Sequence, residues 1–222
     1  MKPHLISFKL CPFAQRAIIL LQQGAIAFEL TSIDPGQPPA EFTALSPLGR
    51  VPLLQMNNRV LFESLAIAEY LNEYYSLQLH DTDPLTKAQH RAWMSYSSEL
   101  LGTLFELSVA QTQAGYQQKH QDLNQQLLKV APFVQGPYFS GQHLQLIDIA
   151  VAPLFMRMAW LEQLYGIAFL TDCPPLQEWR DQLLALPAVK ASVGEDFVAL
   201  YAQFLHSKGA YLAVSVHSKT TP

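Results

Sequence analysis

At 222 residues the chain can form one large domain or two small ones, and half of it is hydrophobic, which suffices for a core of ordinary size. A formal net charge of −4 with no Lys/Arg run gives no footprint for nucleic acid, and no apolar stretch approaches the about 20 residues a membrane span needs. The two cysteines, Cys11 and Cys173, stand far apart without zinc-type spacing, so neither a disulfide framework nor a metal site is expected; a reducing, cytoplasmic setting is.

Met1-Lys2-Pro3-His4 leads into a short apolar strand at residues 5–8 rather than into a signal-peptide core. Over 12–24, Phe13, Ala17, Leu20, Leu21 and Gly24 keep the spacing of one helix face. A second strand is predicted at 26–30, then a Pro/Gly loop at 34–39 and a short helix at 41–45. A turn at 46–52 feeds a strand at 53–56, Asn57-Asn58 signals a hairpin, and 60–62 return as its partner. Ser64 reads as the cap of a helix whose inner face is Ile67, Ala68, Leu71, Tyr74 and Tyr75. Residues 1–78 thus read β-α-β-α-β-β-α, an α/β domain whose first two strands are parallel and joined by a crossover helix.

Beyond residue 84 only helical periodicity recurs. Trp93, Tyr96, Leu100, Leu104 and Leu107 share one face, and Leu123, Leu127, Val130 and Val134 a second. Ile147, Val151, Leu154, Met158 and Leu161 share a third, and Val189, Val193, Phe197, Leu200 and Phe204 a fourth. The expectation for 86–205 is an antiparallel all-helical bundle, followed at 206–222 by an extension that docks or hangs loose. His90 and His120 are scattered and read as surface residues.

Three elements carry chemistry. Cys11 stands where a strand gives way to a helix opened by Pro12, so free backbone N–H groups and the helix dipole favour its thiolate; the bland alternative is an inert buried thiol. Val51-Pro52 is either an ordinary trans turn or a strand start whose Val51 backbone pairs with an extended ligand. Glu63-Ser64 is either a simple helix cap or a clamp, with the helix N-terminus taking a carboxylate and Glu63 an ammonium. A ligand with a peptide backbone, a free amino-acid end and a sulfur satisfies all three, and glutathione is such a ligand.

The order Cys11-Pro12-Phe13-Ala14-Gln15-Arg16, then 46–54 (SPLGRVPLL), then 62–71 (FESLAIAEYL), then an all-helical half resembles the cytosolic glutathione transferases over about residues 4–205. Cysteine at the head of the first helix resembles their omega-type branch. The resemblance implies a thioredoxin-like first domain, a cis peptide at Pro52 and a homodimer. It implies that Cys11 meets the glutathione sulfur, that Val51 pairs with its backbone, and that Glu63 and Ser64 hold its γ-glutamyl end. Phe8 stands where the tyrosine-type branch has its hydroxyl. Gln37-Pro38-Pro39 replaces the segment that often carries a lysine for the glycyl carboxylate. Gln145 stands where the family's capping box has Ser or Thr before Asp148.

Glutathione is thus expected as co-substrate, with a small disulfide or electrophile as second substrate. Phe13, Trp93 and Tyr96 are candidates for that second pocket, the last two also reading as core. Arg16 faces solvent or steadies the thiolate, and Ala14 occupies the place of a second cysteine, so the expected route is monothiol. The expected activity is thiol transfer: disulfide exchange, deglutathionylation or dehydroascorbate reduction. Conjugation of glutathione to electrophiles and a non-catalytic partner-binding role on the same fold are the alternatives.

Overall fold

A computed structural model describes residues 2–217, so part of the extension expected at 206–222 lies outside the described residues. The chain order is β1 (His4–Ser7), α1 (Pro12–Gln23), β2 (Glu29–Ser32), α2 (Ala40–Leu45), β3 (Leu53–Met56), β4 (Arg59–Phe62) and α3 (Ser64–Tyr74). Then follow α4 (Pro84–Val109), α5 (Gln113–Val130), a 3-10 turn (Ala131–Phe133), α6 (Leu146–Tyr165), α7 (Pro174–Ala185), α8 (Pro187–Lys190), α9 (Phe197–Ser207) and α10 (Tyr211–His217). The fold is a thioredoxin-like α/β domain followed by a helical domain.

The sheet order is β2-β1-β3-β4, with β1 and β2 parallel and the other pairs antiparallel. Alternation along the strands splits the core. Leu5 and Leu54 face α1 and α3, whereas Ile6 and Leu53 join Phe42 of α2 on the opposite face. Asn57 and Asn58 both take positive φ, as a two-residue hairpin between β3 and β4 requires.

Several expectations shift. The second strand lies at Glu29–Ser32 rather than 26–30, as an exposed edge paired to β1, while Ile26 and Phe28 pack from the connection. Tyr74 is 46% exposed rather than on the inner face of α3. The fourth apolar face is not one helix: Val189 sits in α8, Val193 in a loop, and α9 starts only at Phe197. His90 is buried, its Nε2 2.6 Å from the Ser140 hydroxyl, and His120 Nε2 lies 3.0 Å from the Ala168 carbonyl.

Helix α6 is the axis of the helical half. It is buried on almost every face and ends at Gly166, which takes the left-handed conformation that a helix stop favours. Asp148 in its first turn accepts from the Gln145 and Phe139 amides at 2.7 and 2.9 Å and from Trp179 Nε1 at 2.7 Å. Helix α10 docks: Ala210, Leu212 and Ala213 are buried, and the Tyr211 amide donates to the Ala110 carbonyl at 2.7 Å.

Candidate functional site

Cys11 is the N-cap residue of α1, its Sγ accepting from the Ala14 amide at 3.4 Å, and Pro12 takes the first helical position. The geometry expected for a thiolate is therefore present. The expectation of a thiol below its ordinary pKa is not met. Cys11 is only 5% exposed, and burial pushes its pKa up against the opposing pull of the Ala14 and Phe13 amides, Arg157 and Ser7.

The first turn of α1 separates three spaces. A cleft of about 410 Å³ is lined by Phe13, Val51, Pro52, Glu63 and Ser64, together with Arg50, Ser95 and Ser98. It brings together every predicted ligand residue except the thiol. A larger apolar cleft of about 890 Å³ lies beyond Pro12, between Phe8 and Leu10 on one side and Phe105, Tyr201 and Phe204 on the other. Cys11 itself lines a smaller hollow of about 270 Å³ with Gln15, Ser192, Val193 and Phe197. Trp93 and Tyr96 line none of these: Trp93 meets Tyr96 edge-on and Phe133 at a tilt within the helical half.

The Val51-Pro52 peptide is cis, and Val51 is half-buried at the cleft wall just before β3. Ser64 is not a cap. Glu63 holds the N-cap position with φ 68°, and Ser64 is the first residue of α3. Its hydroxyl instead accepts from Arg16 Nη1 at 3.1 Å.

Arg16 does not face solvent. It is fully buried, donating from Nη1 also to Ser98 at 3.1 Å, from Nη2 to Ser97 at 2.8 Å, and from Nε to the Ala150 carbonyl at 2.9 Å. Its guanidinium also lies 5.3 Å from the Phe13 ring centre. No carboxylate pairs with it among the described residues, and burial lowers its pKa to about 10. A buried cation without a counter-charge, one hydroxyl below the cleft wall, is suited to a site that receives an anion.

Sequence reasoning also missed Arg50, an exposed cation on the same cleft, and Arg157 of α6. Only the structure reveals Arg16: Ala14, Gln15, Arg16 and Ala17 of α1 are buried in succession, which apolar spacing alone does not mark. Among the described residues no group of three or more His, Cys, Asp or Glu converges as a metal site would require. No helix there is long and apolar enough to cross a membrane.

A thioredoxin-like sheet with a cis-Pro cleft, a thiol heading its first helix and a helical second half define a glutathione-transferase architecture. Residues 5–79 match the family model described as the glutathione S-transferase N-terminal domain. Glutathione S-transferase omega-1 of Sus scrofa is 28% identical over 83% of this chain and 78% of its own length. The crystal structure of glutathione transferase Omega 3C from Trametes versicolor superposes with TM-score 0.81 at 25% identity, covering 94% of this chain and 92% of that one. A stringent starvation protein A homolog of Haemophilus influenzae is 27% identical over 82% of this chain and 86% of its own length. Residues 5–79 thus carry a glutathione S-transferase N-terminal domain, and the chain over most of its length is similar in sequence and fold to omega-type glutathione transferases.

Proposed function

We propose that this protein is a glutathione transferase that works as a thiol transferase with Cys11 as nucleophile. The observation that carries the reading is the thiol at the head of α1, met by the Ala14 amide at 3.4 Å, with alanine rather than a second cysteine at position 14. The Cys11 thiolate attacks the glutathione sulfur of a mixed disulfide, forming Cys11–S–SG and releasing the substrate as a thiolate that takes a proton from water. A second glutathione, as thiolate, attacks that bond, leaves as glutathione disulfide, and returns Cys11 as thiolate. Glutathione lies in the cleft of Val51, Pro52, Glu63 and Ser64. Val51 pairs with its backbone, Ser64 over Arg16 takes the γ-glutamyl carboxylate, Glu63 takes the ammonium, and Arg50 supplies a cation for the glycyl end.

Cys11→Ser should abolish exchange with a glutathionylated peptide, because a hydroxyl forms no mixed disulfide, and Cys173→Ser should leave it unchanged. Equal exchange by parent and Cys11→Ser would sink the reading. Conjugation is the second reading. It is favoured by the size and apolar walls of the cleft beyond Pro12, which suit a hydrophobic electrophile. The same variant separates the two, since conjugation survives loss of the thiol.

The protein is further proposed to be a cytoplasmic homodimer. The exposed Phe62 of β4, Tyr74 of α3 and Leu85 of α4 offer apolar surface for a two-fold contact. Light scattering at micromolar concentration should report twice the 24.9 kDa chain mass, and a monomer would refute the assembly.

A further inference from the structure

Arg157 of α6 is the second buried guanidinium beside the first turn of α1. It is 4% exposed and lines the large apolar cleft together with Leu10 and Pro12. Its Nη2 donates to the Leu10 carbonyl at 2.9 Å, and its Nη1 to Gln15 Oε1 at 2.6 Å and the Pro153 carbonyl at 3.0 Å. Leu10 is the residue before the thiol and Gln15 lies one turn after it, so one side chain grips the chain on both sides of Cys11. Gln15 is fixed in turn by donating from Nε2 to the Ser192 hydroxyl at 2.8 Å.

The guanidinium lies 5.4 Å from the Phe197 ring centre, and among the described residues it makes no ion pair with a carboxylate. Its charge is therefore not spent on a partner inside the fold. We propose that Arg157 is the positioning residue for Cys11: it clamps the turn that presents the thiol and serves as counter-charge when the thiol gives its proton to water. This deepens the thiol-transferase reading and rests on it for its functional meaning.

The other charged and titratable groups around Cys11 do not supply that role. Lys9, on the loop before α1, is bound to Asp196 on the loop before α9. Arg16, on α1, directs its donors to Ser64, Ser97, Ser98 and Ala150. Tyr201 of α9 is buried with its pKa pushed up by that burial, so it stays a neutral phenol near neutral pH. The field of Arg157 opposes the burial of the thiol, and the ionised thiol in turn favours the charged forms of both Arg157 and Arg16; of the two guanidiniums, Arg157 is the one that also bonds the chain on both sides of Cys11.

The test is the rate of Cys11 alkylation by iodoacetamide from pH 6 to pH 10, followed by mass spectrometry in a Cys173→Ser background. Arg157→Gln keeps an amide donor for the Leu10 carbonyl and removes the charge. It should alkylate at least about tenfold more slowly at pH 7, corresponding to a thiol midpoint about one unit higher. Arg157→Lys keeps the charge and should stay within about threefold of the parent. Gln15→Leu loosens the clamp and leaves the charge, so it should keep the parent's midpoint while alkylating more slowly across the whole pH range. Should Arg157→Gln not fold, Arg157→Met is the second charge-free variant.

A folded charge-free variant with the parent's midpoint would overturn the proposal. So would Gln15→Leu shifting the midpoint as far as loss of the charge does. Alkylation needs no substrate. Exchange that survives Cys11→Ser would therefore defeat the thiol-transferase reading while leaving the alkylation result to judge Arg157 by itself.

Discussion

Ser64 shows how one hydroxyl can be placed rightly and explained wrongly. The sequence puts it at a helix start beside Glu63, and it lines the expected cleft. Its local role is not capping, because Glu63 occupies that position and Ser64 accepts from Arg16. Arg16 was illegible for a physical reason. Periodicity sorts residues by hydrophobicity and sends an arginine outward, yet this one finds acceptors on α3, α4 and α6, none of which is near it in sequence. Replacing the hydroxyl with a carboxylate separates stability from binding. In Ser64→Asp the new charge meets a buried guanidinium and a helix N-terminus, so the melting temperature should hold or rise. The same charge occupies the place proposed for the γ-glutamyl carboxylate and repels it. Glutathione affinity by calorimetry should fall at least about tenfold, a loss of about 1.4 kcal/mol. Binding equal to the parent would show that the carboxylate lies elsewhere.

At the scale of elements, legibility follows how local the cause is. The hairpin at Asn57-Asn58 and the face of α6 were readable because turn chemistry and a sustained apolar repeat lie within a few residues. Strand β2 was misplaced because hydrophobicity points at Ile26 and Phe28, whereas the backbone that pairs with β1 is the exposed Glu29–Ser32. The fourth helical face failed because Val193 keeps the spacing while the chain breaks around Gly194. The break leaves Ser192 to meet Gln15 and Asp196 to meet Lys9. Asp148 lies between these cases: its bond to the Gln145 amide was foreseeable, its bonds to Phe139 and Trp179 were not. Together these make it the pin joining α6, α7 and the loop before α6. Asp148→Ala leaves three donors without this acceptor, two of them buried, and should lower urea-unfolding stability by about 3 kcal/mol or more, whereas Trp179→Leu should lower it through lost packing as well as one bond. Trp179→Tyr, which retains a ring, should cost less than Asp148→Ala; an Asp148→Ala loss below about 1 kcal/mol would remove the pin argument.

For the molecule as a whole, the consequence is that its two halves cannot satisfy themselves apart. Helix α1 belongs to the first half, but Arg16 finds three of its four acceptors on α4 and α6, and Gln15 bonds Ser192 and Arg157. Separating the halves would strand a guanidinium and an amide in apolar surface, or force water into the contact. The three tryptophans, Trp93, Trp160 and Trp179, all lie in the helical half, so their fluorescence reports on that half alone. Amide exchange in β1 and β3 reports on the other. If the buried polar links couple the halves, both signals should change at one urea midpoint. Arg16→Met removes four bonds, three of them across the junction, and should pull the midpoints apart, the sheet losing protection at lower urea than the tryptophans report. Two separated midpoints in the parent protein would show that each half stands alone, and that the buried arginine serves the ligand cleft without also holding the fold together.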